Sequence, residues 1–250
     1  MPFARSVGSA LCVSIFVLLA GVGCNGGGTW LLSMDDEVQL GRDAAAEFEK
    51  TNPVSHSAAD TKLVKDTGAA IAAVAKPPNY PYEFRVIGTD TVNAVAFPGG
   101  RVYMYRGLLD KLKRDRDMVA WVMAHEVTHV AFRHSAKRIE NQVGVQLLTQ
   151  ALLGGGAAGQ VAGVVSELMF RDYGRDKELQ ADHQACVYAH KAGYDPTAGI
   201  GVVRVFQSLR DGKDPGKLEL LFMTHPGDNT RINQVQAICK RNGYRGKYYP

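Results

Sequence analysis

His125-Glu126-Val127-Thr128-His129 places two histidines four residues apart, with a glutamate beside the first. On a helix, positions i and i+4 share a face, so both imidazoles can reach one metal ion. Glu126 is turned off the histidine pair by about 100°, yet stays close enough to take a proton from a water that the ion activates. Zinc lowers the pKa of such a water toward about 7. Those are the parts needed for hydroxide attack on a carbonyl.

Two histidines do not complete a catalytic zinc site, which takes three protein ligands and keeps one position open. A third histidine six residues after the second would fall at position 135, where Ser135 stands. His134 is one place out of phase, so the metzincin arrangement is excluded. Residues 175–191 read as a helix on which Glu178 and Asp182, four apart, share a face. An acidic pair on a largely apolar helix is costly to bury unless it serves a cation or a cationic partner. One carboxylate then binds the metal while the other accepts from a ligand histidine. The spacing fits either assignment.

The elements that must hold these groups follow from patterning. Hydrophobic residues make up 46% and charged residues 22% of 250, a globular composition that suits one domain with extensions. The 29 basic and 25 acidic side chains are well mixed, which leaves no focused basic surface and argues against nucleic acid as a partner. Ser33, with Asp36 three residues on, opens a helix to about Lys50. A second runs over 60–75. Short β-rich runs at 82–87, 92–97 and 101–105 predict a small sheet, its later strands joined by a tight turn at Gly99-Gly100. Capped by Asp115 or Asp117, a long helix extends to about His134. It is apolar around much of its circumference and belongs in the middle of the fold. Residues 144–165 predict a helical hairpin bent at Gly154-Gly155-Gly156; helices from Pro196 to Arg210 and from Asp228 to Asn242 follow.

The N-terminus reads as an address. One arginine precedes an uncharged run from Val7 to Val22, short for a membrane span and suited to a signal peptide over 1–23. Leu19-Ala20-Gly21-Val22-Gly23-Cys24 resembles the end of a bacterial lipoprotein signal. That resemblance implies lipidation at Cys24, a tether over 24–32, and anchoring at the periplasmic side of the cell envelope, at the outer rather than the inner membrane. Of the remaining cysteines, Cys186 and Cys239 fit packing roles better than ligation, and their pairing is left open.

The HExxH pentapeptide, the following Arg133-His134-Ser135, and Arg175-Asp176-Lys177-Glu178-Leu179-Gln180-Ala181-Asp182 together resemble the M48 family of zinc metallopeptidases, which are gluzincins. Asn93-Ala94-Val95-Ala96-Phe97-Pro98-Gly99-Gly100 and His225-Pro226 with Arg231 add to the likeness, which spans about 33–235. It implies an α+β, mainly helical zincin-like domain over 33–241, with a small sheet beside the active-site helix and a tail over 242–250. It further implies one catalytic zinc ion on His125, His129 and Glu178, with Glu126 as general base and acid. Asp182 would orient a ligand histidine, with Arg231 and His225 near the cleft and His225 a donor to the oxyanion. His134 braces the helix end. His56, His183 and His190 show no partner spacing.

In this class an extended chain can pair with a sheet edge above the metal. The strand Asn93, Ala94, Val95, Ala96 and Phe97 would then bind substrate by its main chain and favour unfolded or flexible polypeptide. The expected activity is a zinc endopeptidase acting on unfolded or misfolded envelope proteins. Two alternatives stand beside it: an amide hydrolase of another substrate class gated by residues 144–173, and a chaperone or assembly factor whose cleft matters more than its turnover.

Overall fold

The computed structural model describes residues 32–76, 80–143, 145–152, 158–210, 224–225 and 229–249. The signal, the tether up to residue 31, Cys24 with it, and the triple glycine lie outside them; Leu32, the last tether residue, is buried. The architecture is α+β, with a three-stranded sheet among helices.

Helix α1 (Met34–Thr51) begins with a reciprocal cap: the Ser33 hydroxyl accepts from the Asp36 amide at 3.1 Å, and the Ser33 amide donates to Asp36 Oδ2 at 2.9 Å. Helix α2 (Ala58–Val74) follows. Strands β1 (Glu83–Ile87), β2 (Ala94–Ala96) and β3 (Arg101–Tyr105) make the sheet in the order β1-β3-β2, with β1 parallel and β2 antiparallel to β3. Both faces are covered. Val102, Met104, Ala94 and Ala96 enter one core; Tyr103, Tyr105, Val95 and Phe97 enter the other. The two-residue period thus serves two layers in β2 and in most of β3, whereas β1 keeps Glu83 and Arg85 on its outer face.

The turn between β2 and β3 is the glycine turn expected, with Gly99 at φ +73° and Gly100 at φ +107°. Here α1 crosses backbone to backbone. A Cβ on Gly41 would sit 1.8 Å from the Pro98 carbonyl oxygen. Gly41→Ala therefore has to push the turn away, and is expected to cost about 1–3 kcal/mol. Thermal unfolding checks this; an unchanged midpoint would show that the crossing yields freely.

After the short helix α3 (Arg106–Lys111), helix α4 (Arg116–Ala131) starts at Asp115, whose Oδ1 accepts from the amides of Asp117 and Met118 at 3.1 Å each. Every residue from Met118 to Ala131 is buried, so the HExxH helix is the central element. It stops sooner than its periodicity predicts. Arg133 takes φ +56°, and a new helix, α5 (His134–Val143), begins at His134. Glu37 accepts from Arg133 and from the Tyr80 hydroxyl, which ties this break to α1.

Helices α6 (Val145–Leu152), α7 (Ala158–Leu168), α8 (Arg175–Lys191), α9 (Ala198–Arg210) and α10 (Asn229–Asn242) complete the described chain. The segment after α10, expected as a tail, folds back. Lys247 pairs with Asp115, and the Tyr248 amide donates to Thr197 Oγ1 at 3.2 Å. Among the described residues, no helix is long and apolar enough to cross a membrane.

Candidate active site

Helix α4 offers His125 and His129 on one face, with their Nε2 atoms 3.1 Å apart. Helix α8 packs along α4 and brings Glu178 to them: Oε2 lies 3.4 Å from His125 Nε2, and Oε1 lies 3.4 Å from His129 Nε2. Two ring nitrogens this close, converging on a carboxylate, suit lone pairs that share a cation. Glu178 Oε1 is buried and has no hydrogen-bond partner among the described residues, which leaves an acceptor to be satisfied. The donor set of imidazole nitrogen and carboxylate oxygen is one that zinc takes. The residues fit the ion.

His225 is placed more intimately than the sequence suggests. Its Nδ1 lies 3.0 Å from Glu178 Oε2 and 3.3 Å from His125 Nε2, and its Nε2 lies 3.3 Å from Glu126 Oε1. One donor atom from each of His125, His129, Glu178 and His225 falls within 4.8 Å of the others. Where the sequence predicts an oxyanion donor beside the metal, the side chain sits among the candidate ligands.

The two carboxylates of α8 stand differently toward the cluster. Asp182 stands behind the cluster, with Oδ1 3.0 Å from His125 Nδ1. Arg231 on α10 clamps Asp182 with two bonds of 2.7 Å, a role that the sequence places only near the cleft. Burial opposes ionisation of both Glu178 and Asp182. His225, His125 and His129 hold Glu178 well below the usual carboxylate range all the same, and Arg231 and His125 hold Asp182 below it. Glu126 goes the other way: burial pushes its carboxyl up, against the pull of His225 and His125. One carboxylate is thus suited to carrying a proton and two to staying charged.

His134, at the start of α5, places its Nδ1 3.0 Å from His129 Nδ1. The sequence reading missed Tyr173. Its ring stacks on His129 at 4.1 Å, and its hydroxyl meets Ser135 Oγ at 2.8 Å. No periodic signal marks a contact made across 44 residues by a loop. His56, His183 and His190 are exposed and stand apart. Cys186 and Cys239 are free and buried, and Trp121 Nε1 lies 3.5 Å from the Cys186 sulfur.

Strand β2 is an edge of the sheet, and Asn93, Ala94, Val95, Ala96 and Phe97 are all buried. Thr224 donates to Asn93 Oδ1 at 3.2 Å, so the segment carrying His225 is tied to the start of that strand. The side-chain nitrogen Nδ2 of Asn93 has no partner among the described residues. A small apolar cavity of about 10 Å³, room for about one water, lies beside His125 and Glu126; Leu108, Trp121, Val122, Val202 and Phe206 form its walls.

A buried His/Glu cluster on an HExxH helix, with a second helix supplying the acid, defines a zinc metallopeptidase site. The model of peptidase family M48 matches residues 58–239, and the chain belongs to that family. The chain is 26% identical over 238 residues to the beta-barrel assembly-enhancing protease of Yersinia pestis, covering 88% of this chain and 46% of that protein. It is 27% identical over 215 residues to the mitochondrial metalloendopeptidase OMA1 of Schizosaccharomyces pombe, covering 82% and 61%. To the metalloprotease YcaL of Escherichia coli it is 26% identical over 219 residues, covering 82% and 80%. The chain spans about half the length of the beta-barrel assembly-enhancing proteases that it matches.

Proposed function

We propose that this metallopeptidase is an endopeptidase for unfolded or flexible polypeptides of the bacterial envelope, with His125, His129 and Glu178 as zinc ligands. The observation that carries this is the convergence of those three side chains beside a buried Glu126. When bound, zinc supplies the Lewis acidity that lowers the pKa of water and polarises a peptide carbonyl. Glu126 takes the proton of the attacking water and passes it to the leaving amine, a task its raised carboxyl suits. Asp182, clamped by Arg231, holds His125 in register. The main chain of Asn93–Phe97 pairs with an extended substrate. Cut sites mapped by mass spectrometry on an unfolded outer-membrane protein test this. Internal cuts are expected. Trimming from the termini alone would overturn it.

His225 serves in this scheme as a closing group. Four protein ligands fill a tetrahedral zinc site, whereas catalysis keeps one position open. His225 therefore has to leave before a substrate carbonyl enters. His225→Ala is expected to keep zinc on the other three ligands and to cleave a flexible peptide several-fold faster at saturating zinc. A fall of about 10²–10³ in kcat would instead mark His225 as the oxyanion donor.

The names of the bacterial relatives, which speak of beta-barrel assembly, support an envelope location for this chain. Cys24 is its proposed lipid anchor. Metabolic labelling with a palmitate analogue is expected to tag the full chain and to fail on Cys24→Ser; equal labelling of both would remove the anchor.

A further inference from the structure

The two histidines of α4 are oriented by different chemistry. Each turns Nε2 toward the ligand cluster, and a neutral imidazole with its lone pair at Nε2 carries its proton at Nδ1. For His125 the acceptor of that proton is Asp182 Oδ1, 3.0 Å away, a carboxylate able only to accept. For His129 the facing atom is another imidazole nitrogen, Nδ1 of His134, at 3.0 Å. His134 accepts there only with its own proton on Nε2. Its Nε2 lies 3.0 Å from Gln180 Oε1, on α8.

We propose that Gln180 is a positioning residue, fixing through His134 the tautomer in which His129 offers Nε2 to zinc. This rests on the reading of His129 as a ligand. Were His134 to carry its proton on Nδ1, it would donate to His129. The proton of His129 would then sit on Nε2, where zinc must bind. The carboxamide oxygen of Gln180 favours the productive arrangement by accepting from Nε2. Three residues of α8 then divide the work: Glu178 ligates, Asp182 sets His125, and Gln180 sets His129.

Gln180 is exposed, so its replacement leaves the core intact. Gln180→Met removes the acceptor at similar volume, and Gln180→Glu keeps one that cannot donate. Zinc release into a chelating dye is expected to quicken by about 10–100-fold in Gln180→Met and to return to the wild-type rate or slower in Gln180→Glu. Nitrogen-15 spectra of zinc-free protein should show the Nε2–H form of His134 in the wild type and in Gln180→Glu, and a mixture in Gln180→Met. Wild-type release and an unchanged tautomer in Gln180→Met, with water standing in for the carboxamide, would overturn the proposal. If His129→Ala binds zinc as the wild type does, the ligand assignment itself fails. That result is separate, because it does not involve Gln180.

Discussion

Glu126→Gln is expected to lower kcat for an unfolded protein by about 10²–10⁴ while zinc content stays at about one ion per chain. The amide fills the same volume beside His225, 3.3 Å from its Nε2, but cannot take up or return a proton. Burial gives the native carboxyl its raised affinity for that proton, so the substitution removes the group whose environment is tuned for transfer. Metal analysis beside steady-state kinetics separates this from damage to the ligand set. The same variant divides catalysis from chaperoning. If it complements a deletion strain as well as the wild type does, the cleft's binding matters more than its turnover. If complementation is lost with cleavage, hydrolysis is the biological activity.

Glu178→Ala is the second large effect. It removes both oxygens that face the ring nitrogens of α4, at 3.4 Å each. Zinc content is expected to fall well below one ion per chain, since Glu178 is the one carboxylate of the set and His225 has to leave before substrate enters, which then leaves two histidines. Asp182 stands only behind His125, so Asp182→Asn is expected to weaken zinc by about 10–100-fold rather than abolish it. Asparagine is the better probe than alanine there, because removing the whole side chain strands the buried Arg231 guanidinium without the carboxylate that it clamps. Full zinc occupancy in Glu178→Ala, with loss in Asp182→Asn, would reverse the two assignments.

Legibility in the sequence tracks the range of the interaction. His125 and His129 share a helical face, as do Glu178 and Asp182, so four-residue spacing found both pairs. The Ser33 cap and the glycine turn at 99–100 are equally local, and both appear as expected. What the sequence withheld is made between distant segments. The parallel pairing of β1 with β3 has no local signature, nor has the contact of Gly41 with Pro98. The helix break at Arg133 runs against a continuing apolar period, and Glu37, 96 residues earlier, helps to hold it. Arg231, Tyr173 and Gln180 touch the site through side chains whose spacing carries no period. The family likeness located Arg231 but not its bond to Asp182. Gln180 lay inside a quoted motif with no role attached to it.

The central claim is that one zinc ion, held by this cluster, drives peptide hydrolysis. It is tested most directly by incubating the mature chain with an unfolded polypeptide as purified, after chelation, and after chelation followed by one equivalent of zinc. Cleavage that disappears with the metal and returns with zinc, in the wild type but not in Glu126→Gln, is the expected result. Cleavage that persists in the zinc-free chain would contradict it.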